Sequence, residues 1–503
     1  MFKSLFPFLF LVIALSCTTS DTSRYSAAAP CGSLEPGDTT TLAGRLGVDL
    51  SAAEKSTLVY PLDHGAESLI SRAWLCDHAQ QTIDVQYYIF SKDNTGLIAS
   101  DYLVRAADRG VKVRLIIDDV TVKASTDEIG VLDSHQNIAI KVYNPGVKLG
   151  KPGTRIRKIF TEAGELHRRM HVKTITFDNL VSITGGRNIA DEYYDYDKEY
   201  NFRDRDVLLC GKEAESVRSS FELYWNDTLC REFSELVNTN KKKFRDPVRF
   251  ERLHAYACDP KNFSDKMREK IREFPEQFRV KKLRWLKNVV FVADAPGKNE
   301  DRKGRRGGIT TDSLIALVQS AKSTIDIQSP YLILTEKGRR FFKETVDRGV
   351  KVRVLTNSLA ATDNFEAFSG YQRDREKILD TGIEVYEFKP DAQVRYRLMN
   401  PEVQAAISYS AVYGLHSKSM TIDNRITVIG SFNLDPRSAD FNTECIVIIR
   451  DSSVTREMAK QIDTEFLPEN AWHITREFNP DDQSSFNKQI KNQSRKVIPK
   501  NIL

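Results

Sequence analysis

Long hydrophobic runs are absent from this chain of 503 residues. Its apolar N-terminal stretch, Leu5 to Leu15, falls short of the roughly 20 residues that a membrane-spanning helix needs. This argues against a multispan membrane protein. The hydrophobic share of 41% and the charged share of 28% are ordinary for folded domains, so the composition also argues against a disordered chain.

A large excess of one charge is also lacking. The 74 basic and 69 acidic residues leave a net charge of +5, so local patches decide whether nucleic acid or anionic lipid binds. The seven cysteines form neither a CxxC pair nor a Cys/His zinc pattern. We interpret most of them as small buried apolar residues, with room for one or two disulfides.

The N-terminus is typical of an exported protein. Met1-Phe2-Lys3 gives a positive start, and a short apolar run follows. The segment Ala14-Leu15-Ser16-Cys17 resembles a bacterial lipobox, in which Cys17 becomes the lipidated first residue; a plain cleaved signal is the alternative. Either version predicts the cell envelope, and lipidation predicts a lipid-anchored protein that faces the periplasm. Thr18, in place of an aspartate, leaves the outer membrane open as the destination.

Length and composition divide the chain into six predicted segments. They are a signal peptide, a flexible tether, an N-terminal domain, a basic linker, a C-terminal domain and a basic tail. Their ranges are 1–16, 17–55, 56–240, 241–290, 291–470 and 471–503, respectively. The basic side chains of the tail, such as Lys488 and Lys491, either face solvent or attract anionic lipid.

The two predicted domains repeat one order of elements. In the first domain, the residue pattern predicts a helix at 66–79, a strand at 82–88, a helix at 97–108 and a strand at 111–117. The strand Thr82-Ile83-Asp84-Val85-Gln86 returns as Thr324-Ile325-Asp326-Ile327-Gln328, and 108–114 is identical to 347–353. Because strand, helix, strand implies a parallel arrangement, we predict two similar α/β domains from an internal duplication, packed face to face.

One motif occurs in each half with identical spacing, which chance does not explain. Its order is His-x-Lys, then Asp after four residues, then Gly-x-x-Asn after six more. Residues i and i+2 of a strand share a face, so each histidine should point the same way as its lysine. The catalytic set predicted from the motif is His171, Lys173, Asp178, His416, Lys418 and Asp423.

Each motif also predicts a hairpin, because its Asp is followed by Asn, a pair that favours two-residue turns. Such turns would pair His171 with Gly186 and His416 with Ser431. Glycine lets backbone N–H groups approach a phosphate, and asparagine amides can donate to its oxygens. The predicted phosphate-binding residues are therefore Gly186, Asn188, Ser431 and Asn433.

The motif aspartates have an architectural role in this prediction. At about 3.3 Å per residue, seven residues of strand separate each of them from its histidine by roughly 20 Å. Asp204 and Glu444, one after each motif, are better candidates for orienting the imidazoles. Two histidines and two lysines supply a nucleophile, a proton donor and cations for phosphodiester exchange, so we expect neither a metal nor a cofactor.

These residues resemble the paired HKD motifs of the phospholipase D superfamily, over roughly residues 60–470. Segments 185–193, 355–361 and 430–438 look like those of bacterial cardiolipin synthases of the C type. The resemblance implies two phospholipase D-like domains with one active site at their interface. It further implies that His171 attacks phosphorus, that His416 acts as acid and then base, and that Lys173, Lys418, Asn188 and Asn433 hold the phosphate.

Other functions stay open. A phospholipase D would use water as the acceptor, and an exported nuclease would need basic residues interleaved with stacking aromatics. The pairs Tyr87-Tyr88 and Tyr193-Tyr194 lie near the motifs and suit a pocket or strand packing. A lipid-binding scaffold should have lost a motif residue, yet both copies are intact. We expect membrane phospholipids rather than nucleic acid as partners and a functional monomer, and the sequence leaves open whether an accessory protein binds.

Overall fold

The computed structural model describes residues 39–119, 126–146, 168–237, 244–280, 283–298, 307–399 and 411–495. The predicted signal peptide, Cys17 and residues 17–38 of the predicted tether lie outside this part of the chain. None of the described helices combines the length and the apolar character that crossing a membrane requires.

The N-terminal half is built on a nine-stranded mixed sheet. In chain order, its strands and the short strand β7 are Thr57–Leu62 (β1), Thr82–Tyr87 (β2), Lys112–Asp118 (β3), Ile138–Tyr143 (β4), Thr174–Phe177 (β5), Val181–Gly185 (β6), Tyr200–Arg203 (β7), Asp206–Gly211 (β8), Cys230–Glu232 (β9) and Trp285–Leu286 (β10). The spatial order is β10-β1-β8-β6-β5-β2-β3-β4-β9, in which β2, β3 and β4 run parallel.

Amphipathic helices cover this sheet. They are Leu42–Leu46 (α1), Leu50–Ala53 (α2), Gly65–His78 (α3), Asn94–Asp108 (α4), Thr126–Asp133 (α5), Lys212–Trp225 (α6), Phe233–Leu236 (α7), Pro247–Cys258 (α8) and Asp265–Val280 (α9). Asp93 caps the start of α4 by accepting from the Gly96 N–H group. The buried apolar side chains of α3 and α4 join those of β2 and β3 in one core.

The C-terminal half carries an eight-stranded sheet. Its strands and the short strand β15 are Val289–Ala293 (β11), Thr324–Gln328 (β12), Lys351–Asn357 (β13), Glu384–Phe388 (β14), Val412–Leu415 (β15), Ser419–Ile422 (β16), Ile426–Gly430 (β17), Cys445–Ile449 (β18) and Ala471–Ile474 (β19). Its helices are Ile309–Ser320 (α10), Glu336–Asp347 (α11), Phe365–Leu379 (α12), Arg395–Leu398 (α13), Pro436–Asp440 (α14), Ser452–Glu465 (α15) and Phe486–Arg495 (α16).

The predicted duplication is visible strand by strand. The order β11-β18-β17-β16-β12-β13-β14-β19 repeats β1-β8-β6-β5-β2-β3-β4-β9, and β12, β13 and β14 are parallel, like β2, β3 and β4. The other paired neighbours in both sheets are antiparallel, so the sheets are mixed and not wholly parallel. Each half is an α/β domain with its own core, and a further core contains apolar side chains from both halves.

Polar contacts also join the halves. Strand β7 pairs in parallel with β15, and Met170 forms a parallel bridge with Thr443. Arg203 binds Glu465 at 2.8 Å, and Arg205 donates to Gln328 Oε1 at 2.7 Å. These side chains are buried, so the ion pair between Arg203 and Glu465 is shielded from solvent, and either partner would be costly to remove alone.

Three predicted segment boundaries are wrong. The predicted tether contains α1 and α2, whose Leu42 and Leu46 are buried, and the predicted tail contains β19 and α16. The predicted basic linker contains β10, α8 and α9. Its charged residues hide the helical period of Ile271, Phe274 and Phe278, which are buried in the N-terminal core.

The free cysteines among the described residues agree with their interpretation as small buried apolar residues. Free, buried thiols are found at Cys76, Cys210, Cys230 and Cys445.

Candidate active site

The two motif hairpins carry the predicted turns but not the predicted register. Asp178 and Asn179 have φ angles of 48° and 57°, and Asp423 and Asn424 have 51° and 52°, as a left-handed two-residue turn requires. The strand pairing nevertheless begins with Phe177 opposite Val181 and with Ile422 opposite Ile426. One extra loop residue, Leu180 or Arg425, shifts both ladders by one position. The predicted pairing of His171 with Gly186 and of His416 with Ser431 is therefore wrong.

The motif aspartates anchor these turns. The carboxylate of Asp178 accepts hydrogen bonds from the N–H groups of Gln80, Gln81 and Thr82 at 2.7 to 3.0 Å. Asp423 accepts in the same way from the N–H groups of residues 322, 323 and 324 at 2.8 to 2.9 Å. Each aspartate thus ties its hairpin to the start of the neighbouring strand, which is an architectural role and not a catalytic contact.

Each motif histidine is paired with a carboxylate of the opposite half. Nδ1 of His171 lies 2.8 Å from Glu444 Oε2, and Nδ1 of His416 lies 2.5 Å from Asp204 Oδ2. The backbone brings each histidine to the carboxylate of the opposite half. For example, the His171 N–H donates to the carbonyl of Thr443, the residue before Glu444, at 2.9 Å. An ionised carboxylate can only accept, so when the partner carboxylate is ionised Nδ1 of the ring carries the proton and Nε2 keeps its lone pair.

Gly186 and Ser431 serve these carboxylates rather than an open phosphate site. A Cβ atom on Gly186 would lie 2.1 Å from Asp204 Oδ1, so only glycine leaves room for that carboxylate. Its N–H donates to the Arg205 carbonyl at 3.0 Å. Ser431 donates its hydroxyl to Glu444 Oε2 at 2.5 Å. Both residues thus support the histidine partners, and their phosphate contacts stay a prediction.

Each motif lysine lies beside the histidine of its own motif. Nζ of Lys173 donates to the carbonyl oxygen of His171 at 2.7 Å, and Nζ of Lys418 lies 3.0 Å from Nδ1 of His416. Lys173 also lies 5.4 Å from the centroid of the Tyr88 ring, as a cation–π contact. Two ammonium groups and two imidazoles thus occupy one buried centre between the halves.

The aromatic pairs split between the centre and the core. The rings of Tyr88 and His171 meet edge to face at 4.9 Å, and those of Tyr193 and His416 at 5.1 Å. Tyr87 instead accepts a hydrogen bond from Arg72 in the core. Each pair thus contributes one ring to the catalytic centre and one to the packing of the core. The two predicted roles of the tyrosines, a pocket and strand packing, therefore both apply.

The two motif asparagines differ. Asn188 accepts from the Ile89 N–H at 3.1 Å and donates to the Tyr193 hydroxyl at 2.8 Å, which makes it a support for the ring beside His416. The Oδ1 atom of Asn433 is buried without a hydrogen-bond partner among the described residues. The Oδ1 atom of Asn433 therefore has acceptor capacity left for a ligand hydroxyl, whereas contact with a phosphoryl oxygen would use the Nδ2 donors.

Similarity to known proteins decides the family. The sequence matches the family described as "Cardiolipin synthase, PLD-like domain" over residues 75–225 and 314–470. It is 32% identical to cardiolipin synthase C of Escherichia coli K12, covering 83% of this chain and 86% of that protein.

The chain belongs to the phospholipase D superfamily.

Two further proteins are similar to this chain. An uncharacterized protein of Helicobacter pylori J99 is 30% identical, covering 87% of this chain and 84% of its own length. The solved phosphatidylserine synthase of Haemophilus influenzae Rd KW20 has the same fold, with a TM-score of 0.56 at 15% identity, covering 90% of this chain and 98% of that one. The prediction of two phospholipase D-like domains is confirmed, and the protein is a phosphatidyltransferase of the phospholipase D type.

Burial sets the charge states of this phospholipase D-type centre. Burial, reinforced by Lys173 and Lys418, lowers the pKa of His171 well below its usual value. Burial and Lys418 lower the pKa of His416 to about 3, against the opposing effect of Asp204. Burial also lowers the pKa of Lys173 to about 7 and that of Lys418 to about 8. Both imidazoles are therefore neutral at pH 7 when no anionic ligand is present.

The two carboxylate partners have different electrostatics. Burial raises the pKa of Glu444 to about 7, although Lys173 opposes it. Burial also acts on Asp204, but His416 and Lys418 outweigh it and keep the pKa of Asp204 below its usual value. Asp204 is thus fully ionised beside His416, whereas Glu444 is more readily protonated.

One supporting residue was missed by sequence reasoning. The hydroxyl of Ser438 donates to Glu444 Oε1 at 2.6 Å, and its N–H donates to the capping carboxylate of Asp435. Its segment belongs to the family-like stretch 430–438, yet no spacing rule connected it with Glu444. Within the described residues, no cluster of His, Cys, Asp and Glu is arranged to hold a metal ion.

Proposed function

We propose that the protein is a cardiolipin synthase-like phosphatidyltransferase that acts through a phosphatidyl-histidine intermediate. The observation that carries the proposal is the exchanged pairing of His171 with Glu444 and of His416 with Asp204. It presents two Nε2 atoms from opposite halves to one centre that also contains Lys173 and Lys418. Transfer to an alcohol is supported by the 32% identity to cardiolipin synthase C.

The first step breaks the bond between phosphorus and the head-group oxygen. Nε2 of His171 attacks phosphorus, and the leaving alkoxide takes a proton from Nε2 of His416. Lys173, Lys418 and the Asn433 amide hold the phosphoryl oxygens. In the second step an alcohol hydroxyl attacks the phosphorus, His416 takes its proton, and the bond between phosphorus and His171 breaks. With phosphatidylglycerol as donor and acceptor, the products are cardiolipin and glycerol.

The unequal carboxylates support these roles. A group that must carry the proton in the first step gains from an ionised neighbour, and Asp204 is the ionised partner of His416. His171 must instead attack as a neutral ring. Its pKa lies well below its usual value, beside a carboxyl group whose own pKa is raised to about 7. An anionic phosphodiester would raise the pKa of His416 and favour its protonation.

Lipid analysis tests this function. The purified full-length protein is incubated in EDTA with vesicles of phosphatidylglycerol and phosphatidylethanolamine, and products are separated and identified by mass. We expect cardiolipin and glycerol, and a loss of at least about 1,000-fold in His171→Ala and in His416→Ala. His473→Ala, at an exposed histidine outside the centre, is the matched control. Phosphatidic acid alone would identify a hydrolase. Unchanged lipids would contradict both the transferase and the hydrolase activity and require a nuclease assay.

The location and the assembly are part of the proposal. The pattern Ala14-Leu15-Ser16-Cys17 supports lipidation at Cys17 and a lipid-anchored protein at the periplasmic face. Metabolic labelling with a radioactive fatty acid should label the wild type and not Cys17→Ser. Both halves of the centre belong to one chain, which supports a functional monomer acting on membrane phospholipids. A specific activity that changes with protein concentration would contradict a functional monomer.

A further inference from the structure

A cavity of about 310 Å³ opens in the N-terminal half, between the sheet and α8. This volume is at the lower end of the range for small-molecule pockets. The motif histidines and lysines are not part of its wall. The wall consists mainly of apolar side chains from α4, β3, β4, α5 and α8, among them Leu97, Leu115, Ile117, Ile129, Ile140 and Leu253.

Two polar side chains of the cavity wall are already hydrogen-bonded. The Ser100 hydroxyl donates to the Gly96 carbonyl at 2.8 Å, and the Tyr256 hydroxyl donates to Asn94 Oδ1 at 3.0 Å. A polar ligand would lose its hydrogen bonds to water here without replacing them, which is costly. An apolar chain loses none and gains by leaving water. The interior therefore selects a hydrocarbon chain.

The exposed residues of the cavity give its rim a positive charge. Three of them are basic and one is acidic: Lys92, Arg249, Arg252 and Glu128. Arg249 also pairs with Asp246 at 3.4 Å, which leaves Lys92 and Arg252 as the stronger contributors. A hydrocarbon chain that fills the cavity would place its head group at this rim, where a negative charge is favoured.

Chain segments of the cavity wall lead on to residues that contact the catalytic centre. Phe90, on the wall, forms a bridge with Ile189 and lies two residues beyond Tyr88, whose ring packs against His171. On the other side, Ile117 precedes Asp118, which accepts a hydrogen bond from the Met170 N–H at 3.1 Å. Short stretches of chain therefore link the cavity wall to the surroundings of His171.

We propose that this cavity, termed the acyl cavity, binds one acyl chain of an anionic lipid. The chain belongs either to the phospholipid that reacts at His171, in which case the inference rests on the proposed function, or to a separate fatty acid or phospholipid. Both sources share the chemistry of a hydrocarbon chain with an anionic head, and the experiment separates them.

Titration with a fluorescent fatty acid, parinaric acid, tests the acyl cavity in the full-length protein. Leu253→Trp fills the space from a half-buried position on α8, and Leu223→Trp at an exposed leucine of α6 is its control. We expect the wild type to bind one probe per chain in a saturable way. Kd should be at least about tenfold higher in Leu253→Trp and unchanged in Leu223→Trp. Absence of saturable binding in the wild type, or equal binding by Leu253→Trp, would overturn the proposal.

A second variant keeps the test valid if the tryptophan disturbs α8. Arg252→Glu changes only an exposed side chain, and Arg340→Glu on α11 is its matched control. Because one basic residue near an anionic head contributes modestly, Arg252→Glu should raise Kd by about fivefold at low salt and by less at high salt. A Kd equal to that of Arg340→Glu would contradict an anionic head at the rim.

The transferase assay then separates the two sources. If the chain is that of the reacting lipid, Leu253→Trp raises KM for long-chain phosphatidylglycerol and leaves KM for a short-chain analogue unchanged. If it is a separate lipid, probe binding is lost while both KM values stay the same. The titration requires no turnover, so a failure of the proposed function leaves this test intact.

Discussion

Replacing Gly186 with serine should separate His416 from Asp204. A Cβ atom at this position would lie 2.1 Å from Asp204 Oδ1 and 2.8 Å from its Cγ, closer than real contacts allow. The clashing oxygen, Oδ1, accepts a hydrogen bond from the Arg205 N–H at 2.7 Å, so the carboxylate cannot retreat without losing this bond. Because the two carboxylate oxygens move together, the contact of Oδ2 with Nδ1 of His416 is weakened as well.

The magnitude follows from that contact. A hydrogen bond to a charged group contributes about 1.5 to 3 kcal/mol, and about 1.4 kcal/mol corresponds to a factor of ten in rate. We therefore expect kcat of Gly186→Ser to fall by about 10- to 100-fold. The change is local, and Gly338→Ser, whose added Cβ would meet its nearest atom at 3.5 Å, is the control.

The second half suggests a compensating change. There Ser431 occupies the position that corresponds to Gly186, and its hydroxyl donates to a glutamate, Glu444. Adding Asp204→Glu to Gly186→Ser should therefore recover part of the lost kcat, with a coupling of about 1 kcal/mol in a double-mutant cycle. Activity of Gly186→Ser within twofold of the wild type would refute the steric argument, and additive effects would refute the pairing.

Two further predictions concern pH. Because charged lysines hold the phosphate, kcat/KM should fall as pH rises through about 7 and about 8, the pKa values of Lys173 and Lys418. Lys418→Arg should remove the fall near pH 8 and keep the one near pH 7, and an unchanged pH–rate profile would contradict this. Burial acts to raise the pKa of Asp423, but backbone donors such as the Thr324 N–H outweigh it and keep the pKa below its usual value. Its stabilisation is therefore present at neutral pH and lost as pH falls below about 4. Asp423→Asn should lower the free energy of unfolding by about 1 to 2 kcal/mol at pH 7, measured in urea, with turnover per folded enzyme unchanged.

Local rules were enough to predict the duplicated sheet and the shared face of each His-Lys pair. The repeat of Thr82-Ile83-Asp84-Val85-Gln86 at residues 324–328 fixes one strand in both halves. The Asp-Asn pairs fix the left-handed turns. The extra residue after each turn, Leu180 in the first hairpin, has no such signal, and the register was missed by one position.

The exchange of carboxylates depends on how the halves pack. Asp204 and Glu444 were identified as orienting residues, but only the bridge between Met170 and Thr443 brings Glu444 to His171. Helix α9 was missed for another reason. Its charged residues dominate the composition, while the buried Ile271, Phe274 and Phe278 with helical spacing were the available signal.

Trapping of the intermediate tests the central claim most directly. His416→Ala is mixed with a phosphatidyl ester of p-nitrophenol, a leaving group that needs little help from an acid. We expect a burst of one nitrophenolate per chain, followed by a stall, because no base remains to activate the acceptor. Mass spectrometry should then locate the phosphatidyl group on His171, and His171→Ala should give no burst. A phosphatidyl group on another residue, or steady turnover without a burst in His416→Ala, would contradict the account.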